Sequence, residues 1–532
     1  MTARALARLA AGDFRERVRR PVYAVTLLAA VGLGRLAVPD ADSHWGVIDV
    51  GGNRGVYNSA WVGTATALAG ALWLTVGGFY AVRGAIVRDD TTGVGQVLAA
   101  TPLRSAGYLA AKFLSNLLVL ASMLGVLAGT ALVRQLLAGE DRSVDPVALL
   151  APFLLIALPV LAVTAAAAVL FETVPPLRAG LGNVLWFGLA LLIAVSGQSA
   201  HAPFGGLGVQ HAVPSLRRAL EEQQLTYNQD GFSIGLTETE HPLHPFRWDG
   251  APLTAGFLLA RLALFLLAAA AAVLPTLWFG RFDRTAGRPA APAPAPASAS
   301  ASASADHRPP PPARGSTALP GTVPVRAGAF GRLLAGEARI LLQGVPRTWW
   351  AVVAALSAAV FAVPERAVSG LLLPLLWLWP VLLWSRLGSQ QTEHGLAELL
   401  GAHPAPRRRL LAEWTAGVLL TALTGLAPLL RMLAAGDGAG AAHWLGGPLL
   451  VPSLALALGV LSRGHRLFQA LYLPLWYLLV NRVAAVDFMG AARTAGHPDG
   501  PHPLLVAALS AALLATAALT AEARRGRPGR PG

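Results

Sequence analysis

The side chains able to do chemistry in this chain are few, and their spacing argues against bond-breaking work. His241 and His244 are the nearest approach to a metal pair. Pro242 between them and a loop setting spoil the helical i, i+3 geometry, and no third ligand stands beside them, so no metal site is expected. There are no cysteines, which excludes disulfides, thiolate metal sites and thiol catalysis. No H-E-x-x-H motif occurs, and no acidic pair is placed for group transfer. A P-loop needs a glycine-rich turn before a lysine, because backbone N–H groups and that lysine hold the phosphates. The single lysine, Lys112, sits in AAKFLS (110–115) with no glycine ahead of it, so no nucleotide site and no bound cofactor are expected.

What remains is charge placed inside apolar sequence. The chain has 532 residues, 54% hydrophobic and only 13% charged, against about a quarter charged in soluble domains. Apolar runs suited to crossing ~30 Å of hydrocarbon recur at 21–38, 60–82, 108–133, 147–171, 182–197, 252–279, 347–363, 368–384, 410–435, 447–461, 468–486 and 503–521. The expected fold is therefore an all-α polytopic membrane protein with about twelve transmembrane helices. Arg261 falls roughly 13 Å into the sixth run at 1.5 Å per residue. An arginine at that depth either lines a polar pathway or, if Leu262–Phe279 alone spans, anchors one interface. Arg431 and Arg482 lie nearer run ends and snorkel; Lys112 and Glu413 read as interface residues. The net charge of +14 follows from arginines clustered in the segments that a positive-inside topology puts in the cytosol, with both termini there. It implies anionic lipid as a partner, and no nucleic acid.

Two stretches repeat at a constant offset of 302 residues: TGVGQVLAATPLR (92–104) and HGLAELLGAHPAP (394–406). Gly93 matches Gly395, Val94 matches Leu396, Gln96 matches Glu398, Val97-Leu98 match Leu399-Leu400, and Pro102 matches Pro404. Each copy lies between two apolar runs. Val94, Val97 and Leu98 fall at i, i+3 and i+4, so each copy forms a short helix with one apolar face, opened by glycine and closed before proline. Such a face either docks on a partner or packs on its own bundle. Each half also opens with a similar amphipathic prelude, RLAAGD (8–13) and RLLAGE (332–337). The Arg4, Arg8, Arg15 and Arg19 side suits a helix lying in the headgroup plane. The Ala/Pro/Ser-rich stretch at 284–325 reads as a cytosolic linker between halves 1–283 and 326–532. The large outer loop 198–251 carries an expected helix at 215–225 and a strand at 232–236.

The repeated segments, the preludes, and FRWDG (246–250) with WFGRFD (278–283) resemble ABC-2-type permeases, the membrane subunits of ATP-driven exporters. The resemblance implies two fused six-helix halves and a coupling role for Gly93, Val94, Gln96, Val97, Leu98, Pro102, Gly395, Leu396, Glu398, Leu399, Leu400 and Pro404. It also implies a separate ABC ATPase in two copies, which brings the ATP and Mg, and an exported substrate of unknown identity in the plasma membrane. Gln96 departs from the acidic residue usual in that pattern, which Glu398 supplies in the second half only. A twelve-span secondary carrier is the alternative, although residues 83–104 lack the loop motif typical of the major facilitator type. A membrane-embedded transferase fits less well, for want of a clustered acidic or histidine site.

Overall fold

The structure, a computed structural model, describes residues 3–40, 43, 45–178, 180–199, 201–225, 232–238, 243–280, 282, 329–390, 406–480, 483–494 and 496–525. Its order begins α1 (Ala3–Val18), α2 (Pro21–Ala37), β1 (Trp45–Val50), β2 (Asn53–Gly55), α3 (Ser59–Val76), α4 (Gly78–Val82), α5 (Ala85–Thr91), α6 (Val94–Ala99) and α7 (Ser105–Ala138). It continues α8 (Pro146–Pro152), a π turn at Phe153–Ala157, α9 (Leu158–Thr173), α10 (Gly180–Ser196), α11 (Val209–Glu222), β3 (Phe232–Glu238), β4 (His244–Phe246) and α12 (Ala255–Val273). Beyond residue 328 come α13 (Ala329–Leu342), α14 (Arg347–Ala359) and further helices named below by their residues.

Among the described residues, six helices are long and apolar enough to cross a membrane: Ser59–Val76, Ser105–Ala138, Pro146–Thr173, Ala255–Leu277, Gly438–Ser462 and Pro503–Arg524. A seventh forms if Pro406–Thr424 and Leu426–Ala434, bent by 56° at Gly425, count as one span. The other apolar runs are helical but shorter. Prolines and glycines explain part of this: Pro374 and Pro380 divide the 368–384 run into a π turn and two short helices. The result is a predominantly helical membrane protein, whose helices of full spanning length are fewer than the apolar runs.

Small residues let the central helices approach closely. On α3, an added methyl at Gly63 would strike the Leu149 backbone, and at Gly70 it would meet Leu127. α3 is 83% buried over its apolar window, whereas Ala255–Leu277 and Pro503–Arg524 are only 17% buried and form the periphery. The first half packs α1 on α7, α7 on α9 and α9 on α12. Beyond residue 328, α13 packs on Pro406–Thr424, that helix on Gly446–Ser462, and the latter on Pro503–Arg525.

One end of the first half carries a small cap. β1 pairs antiparallel with β3 and β2 pairs parallel with β4, so the loop after α2 and the long loop after α10 build it together. The expected strand is present as β3. The expected helix starts earlier, at Val209, after Gly208 at φ +91, and ends at Glu222. It buries Leu216 and Leu220. Arg54 grips Glu140 through two hydrogen bonds of 2.9 and 2.8 Å, tying β2 to the end of α7. At 34 residues α7 is about 51 Å long at 1.5 Å per residue. It therefore reaches from this cap to the opposite end, where α1, α5 and α6 gather.

Candidate functional site

The segment 84–104 turns sharply twice. Gly84 at φ +98 opens α5 and Gly93 at φ +76 opens α6, left-handed positions that glycine accepts without steric cost. Arg466 lies over Gly84 so closely that a Cβ there would collide with its guanidinium. Gly95 is buried against the Phe282 ring, which likewise leaves no room for a side chain. Phe282 and Phe279 pack edge to face, and Tyr108 stacks on Phe279 with centroids 6.0 Å apart. Phe282, backed by Phe279 and Tyr108, thus closes over α6.

The predicted apolar face of α6 is divided. Val94 is 47% and Val97 68% exposed, and Gln96 is exposed beside them. Leu98 packs inward against the core. Of the expected docking residues, Val94 and Val97 face out and Leu98 helps hold the helix down. Pro102 follows α6 in an exposed turn.

A buried carboxylate that sequence reasoning passed over fixes the start of α5. Glu172, at the end of α9 and 1% exposed, accepts the backbone N–H groups of Gly84, Ala85, Ile86 and Val87, the last three at 3.2, 2.7 and 3.2 Å. These are the orphan donors of a helix first turn, and a carboxylate there also complements the helix dipole. Lower on α5, Asp89 accepts from Tyr108 at 2.7 Å and pairs with Lys112 at 2.9 Å. Lys112 in turn donates to Asp13 of α1 at 2.8 Å, and Asp13 pairs with Arg17 at 3.0 Å and accepts from Ser115 at 2.5 Å. The interface role read for Lys112 is replaced by a central one. Its ammonium, 4% exposed, joins the surface helix α1 to α5 across the foot of α7. Burial opposes ionisation of Asp13, but the Arg17 and Lys112 charges and the hydrogen bonds from Lys112 and Ser115 outweigh it. The carboxyl is held below its ordinary range.

Beyond residue 328 a similar arrangement recurs. Gly388, at φ +71, donates its N–H to buried Glu413 at 2.6 Å, as Gly84 does to Glu172. Glu337, the acid closing the second prelude, pairs with Arg409 at 2.7 Å, as Asp13 closing the first pairs with Lys112. Gly395, Leu396, Glu398, Leu399, Leu400 and Pro404 lie outside the described residues, as do the linker 284–325, His241 and Arg482.

A buried polar chain joins the two halves near this end. Arg83 donates to the side chain of Asn183 and to the Leu177 carbonyl. Asn183 donates to Gln469, which donates to Ser385 at 3.1 Å, and Arg466 reaches the Arg83 carbonyl at 3.2 Å. Asn183 and Gln469 are both 0% exposed, so each depends on the other for its partners.

Arg261 sits one and a half turns into α12, 2% exposed. It donates to the carbonyls of Phe204, Gly205 and Gly206 at 3.4, 3.3 and 2.7 Å, and its guanidinium lies 5.2 Å from the Phe257 ring centre. It therefore binds the turn before α11 rather than a carboxylate. Trp377 is fully buried against Gly425 and Gly447 and donates to the Thr421 carbonyl. Among the described residues no group of three metal-ligating side chains comes together.

No protein-family model matches this chain, and comparison with curated proteins finds no match.

Proposed function

We propose that this chain is the permease of an ATP-driven exporter, multi-pass in the plasma membrane with both termini in the cytosol, and inert without a separate ATPase. The observation that carries the reading is α6 itself. It is a short helix with two valines exposed, held on a buried foundation that reaches α9 through Glu172 and α1 through Lys112. Burying an apolar side chain in a partner groove contributes about 1.5–3 kcal/mol, enough for Val94 and Val97 to act as docking knobs. A push on α6 would pass to α5, α7 and α9 as one body, which is the rigid link that alternating access requires.

The paired glycine–carboxylate contacts at Gly84 and Gly388, and the paired prelude acids Asp13 and Glu337, support a duplicated architecture of two six-helix halves. On that reading the second copy at 394–406 docks too, with Glu398 adding a charge-assisted hydrogen bond where the first copy has Gln96. The ATP and Mg belong to the partner, present in two copies.

The chain lacks cysteine, so Val97→Cys gives a single thiol for cross-linking in native membranes. The expected product joins this chain to a polypeptide that takes up a photoreactive ATP analogue. Cross-links only within the chain would overturn the reading. So would robust ion-gradient-driven flux by the purified chain in liposomes, which would favour the secondary carrier.

A further inference from the structure

A cavity of about 230 Å³ lies where the cap meets the helices, between α3, α8, α11 and the start of α12. Apart from Thr64 of α3, its walls are small and apolar: Ala60 of α3, Ala148 and Ala151 of α8, then Leu155 and Ile156. The last two belong to the π turn Phe153–Ala157, which follows Pro152. A π turn widens the helix and breaks its side-chain register, and such turns recur at functional sites. Here it shapes the wall of the cavity. At ~30 Å³ per molecule the space is worth about eight waters, which apolar walls cannot hold with the two to four polar partners each needs. An apolar occupant fits better.

The rim is different in character. Asp145 and Asp249 stand there with His211, whose ring stacks on Phe257 at 3.7 Å and 5°. Asp145 caps α8 through the N–H groups of Val147 and Ala148. Two cations lie near: Arg247, in an exposed 3.4 Å pair with Asp249, and Arg261, over the Phe257 ring and occupied by backbone carbonyls. Burial, and then the Arg261 charge, hold His211 below its ordinary range, so it adds no positive charge at neutral pH. Val147, 71% exposed, and Leu253, 52% exposed, flank the opening with apolar surface that bilayer would cover.

We propose that this cavity binds an amphiphilic organic cation, its apolar body inside the walls and its ammonium between Asp145 and Asp249. The charge complementarity of the two carboxylates selects a cation over an anion, and the apolar walls select an amphiphile over a metal ion. The site belongs to the chain alone and stands whether or not an ATPase drives it.

The test uses Ala151→Cys, a wall position, in the full chain in phosphatidylcholine nanodiscs, with Ala148→Cys as a second reporter should the first fold poorly. The rate of maleimide labelling is followed with decyltrimethylammonium, decanol or decyl sulfate at equal mole fraction in the bilayer. The cation is expected to slow labelling about tenfold, decanol less, and decyl sulfate not at all. Asp145→Asn keeps the helix cap, since asparagine caps as well as aspartate. It and Asp249→Asn should each raise the concentration for half-protection about two- to fivefold, the worth of an exposed charge pair. Equal protection by all three probes, protection by decyl sulfate, no protection at all, or indifference to both Asn substitutions would each overturn the proposal.

Discussion

Glu172→Gln is the sharpest perturbation of the foundation under α6. The carboxylate serves four backbone N–H groups with two oxygens, Gly84 and Ala85 on one and Ile86 and Val87 on the other. Glutamine keeps one acceptor oxygen and turns an NH₂ toward the other two donors. Two buried N–H groups then lose their acceptor, at about 1–3 kcal/mol each, or ~2–6 kcal/mol in all. Even the lower bound raises the opening equilibrium of the α5 first turn about 30-fold, because 1.4 kcal/mol is tenfold. The substitution also removes the negative charge beside Arg83, so it acts in the same direction twice. Hydrogen–deuterium exchange of a peptide covering 84–92, in nanodiscs, reads this opening directly. Exchange at 85–91 should accelerate at least 30-fold while α3 and α7 keep their protection. A change within about threefold would refute the claim that Glu172 holds α5, and with it the rigid link to α9.

Three further outcomes follow from the same contacts. Asp13 has a folded-state pKa below its unfolded value, so it stabilises the protein above about pH 4 and that contribution is lost as pH falls through the folded value. Thermal melting between pH 6 and 3 should show this loss, and Asp13→Asn should flatten that part of the profile. Gln469→Leu strips the buried Asn183 amide of its acceptor and should cost about 1–3 kcal/mol, seen as a lower melting temperature in nanodiscs. Arg261→Ala leaves the 204–206 carbonyls without their donor and should destabilise the cap, measured by faster exchange over 203–222. Arg261→Lys should recover only part, since one ammonium cannot reproduce the guanidinium fork.

Much of the helical plan was legible because long apolar runs leave little alternative in a bilayer. Their continuity was not, because the breaks at Gly425, Pro374 and Pro380 cost nothing in hydropathy while they bend or divide the helix. The segment 92–104 showed as a repeat, and its helix was foreseen from Gly93, the i, i+3, i+4 spacing and Pro102. Which of its apolar residues face out was not foreseeable. Val97 and Leu98 are adjacent in sequence, and only the tertiary packing of α6 against the core decides that Leu98 turns inward. Glu172 directly follows the apolar run 147–171, and no pattern in the sequence marked it. Its role depends on Gly84, which lies 88 residues away in sequence. Lys112 carried a hint, as the lone lysine near a span start, and Asp13 another, as the acid closing the first prelude where Glu337 closes the second. Their pairing appears only once α1 lies along α7. Arg261 was left open between pathway and anchor, and its carbonyl partners come from a loop that no periodicity marks.

The most direct test of the central claim is the Mg-ATP hydrolysis carried by the tagged chain when it is purified from its native membrane in mild detergent. The sequence contains no P-loop, so on the proposed reading the hydrolysis is carried by a bound partner. Wild-type chain should bring down ATPase activity, and Val97→Asp, a change at a 68% exposed position, should lose it while chain yield and melting temperature stay the same. Wild-type preparations without hydrolysis, or a Val97→Asp chain that retains all of it, would contradict the account.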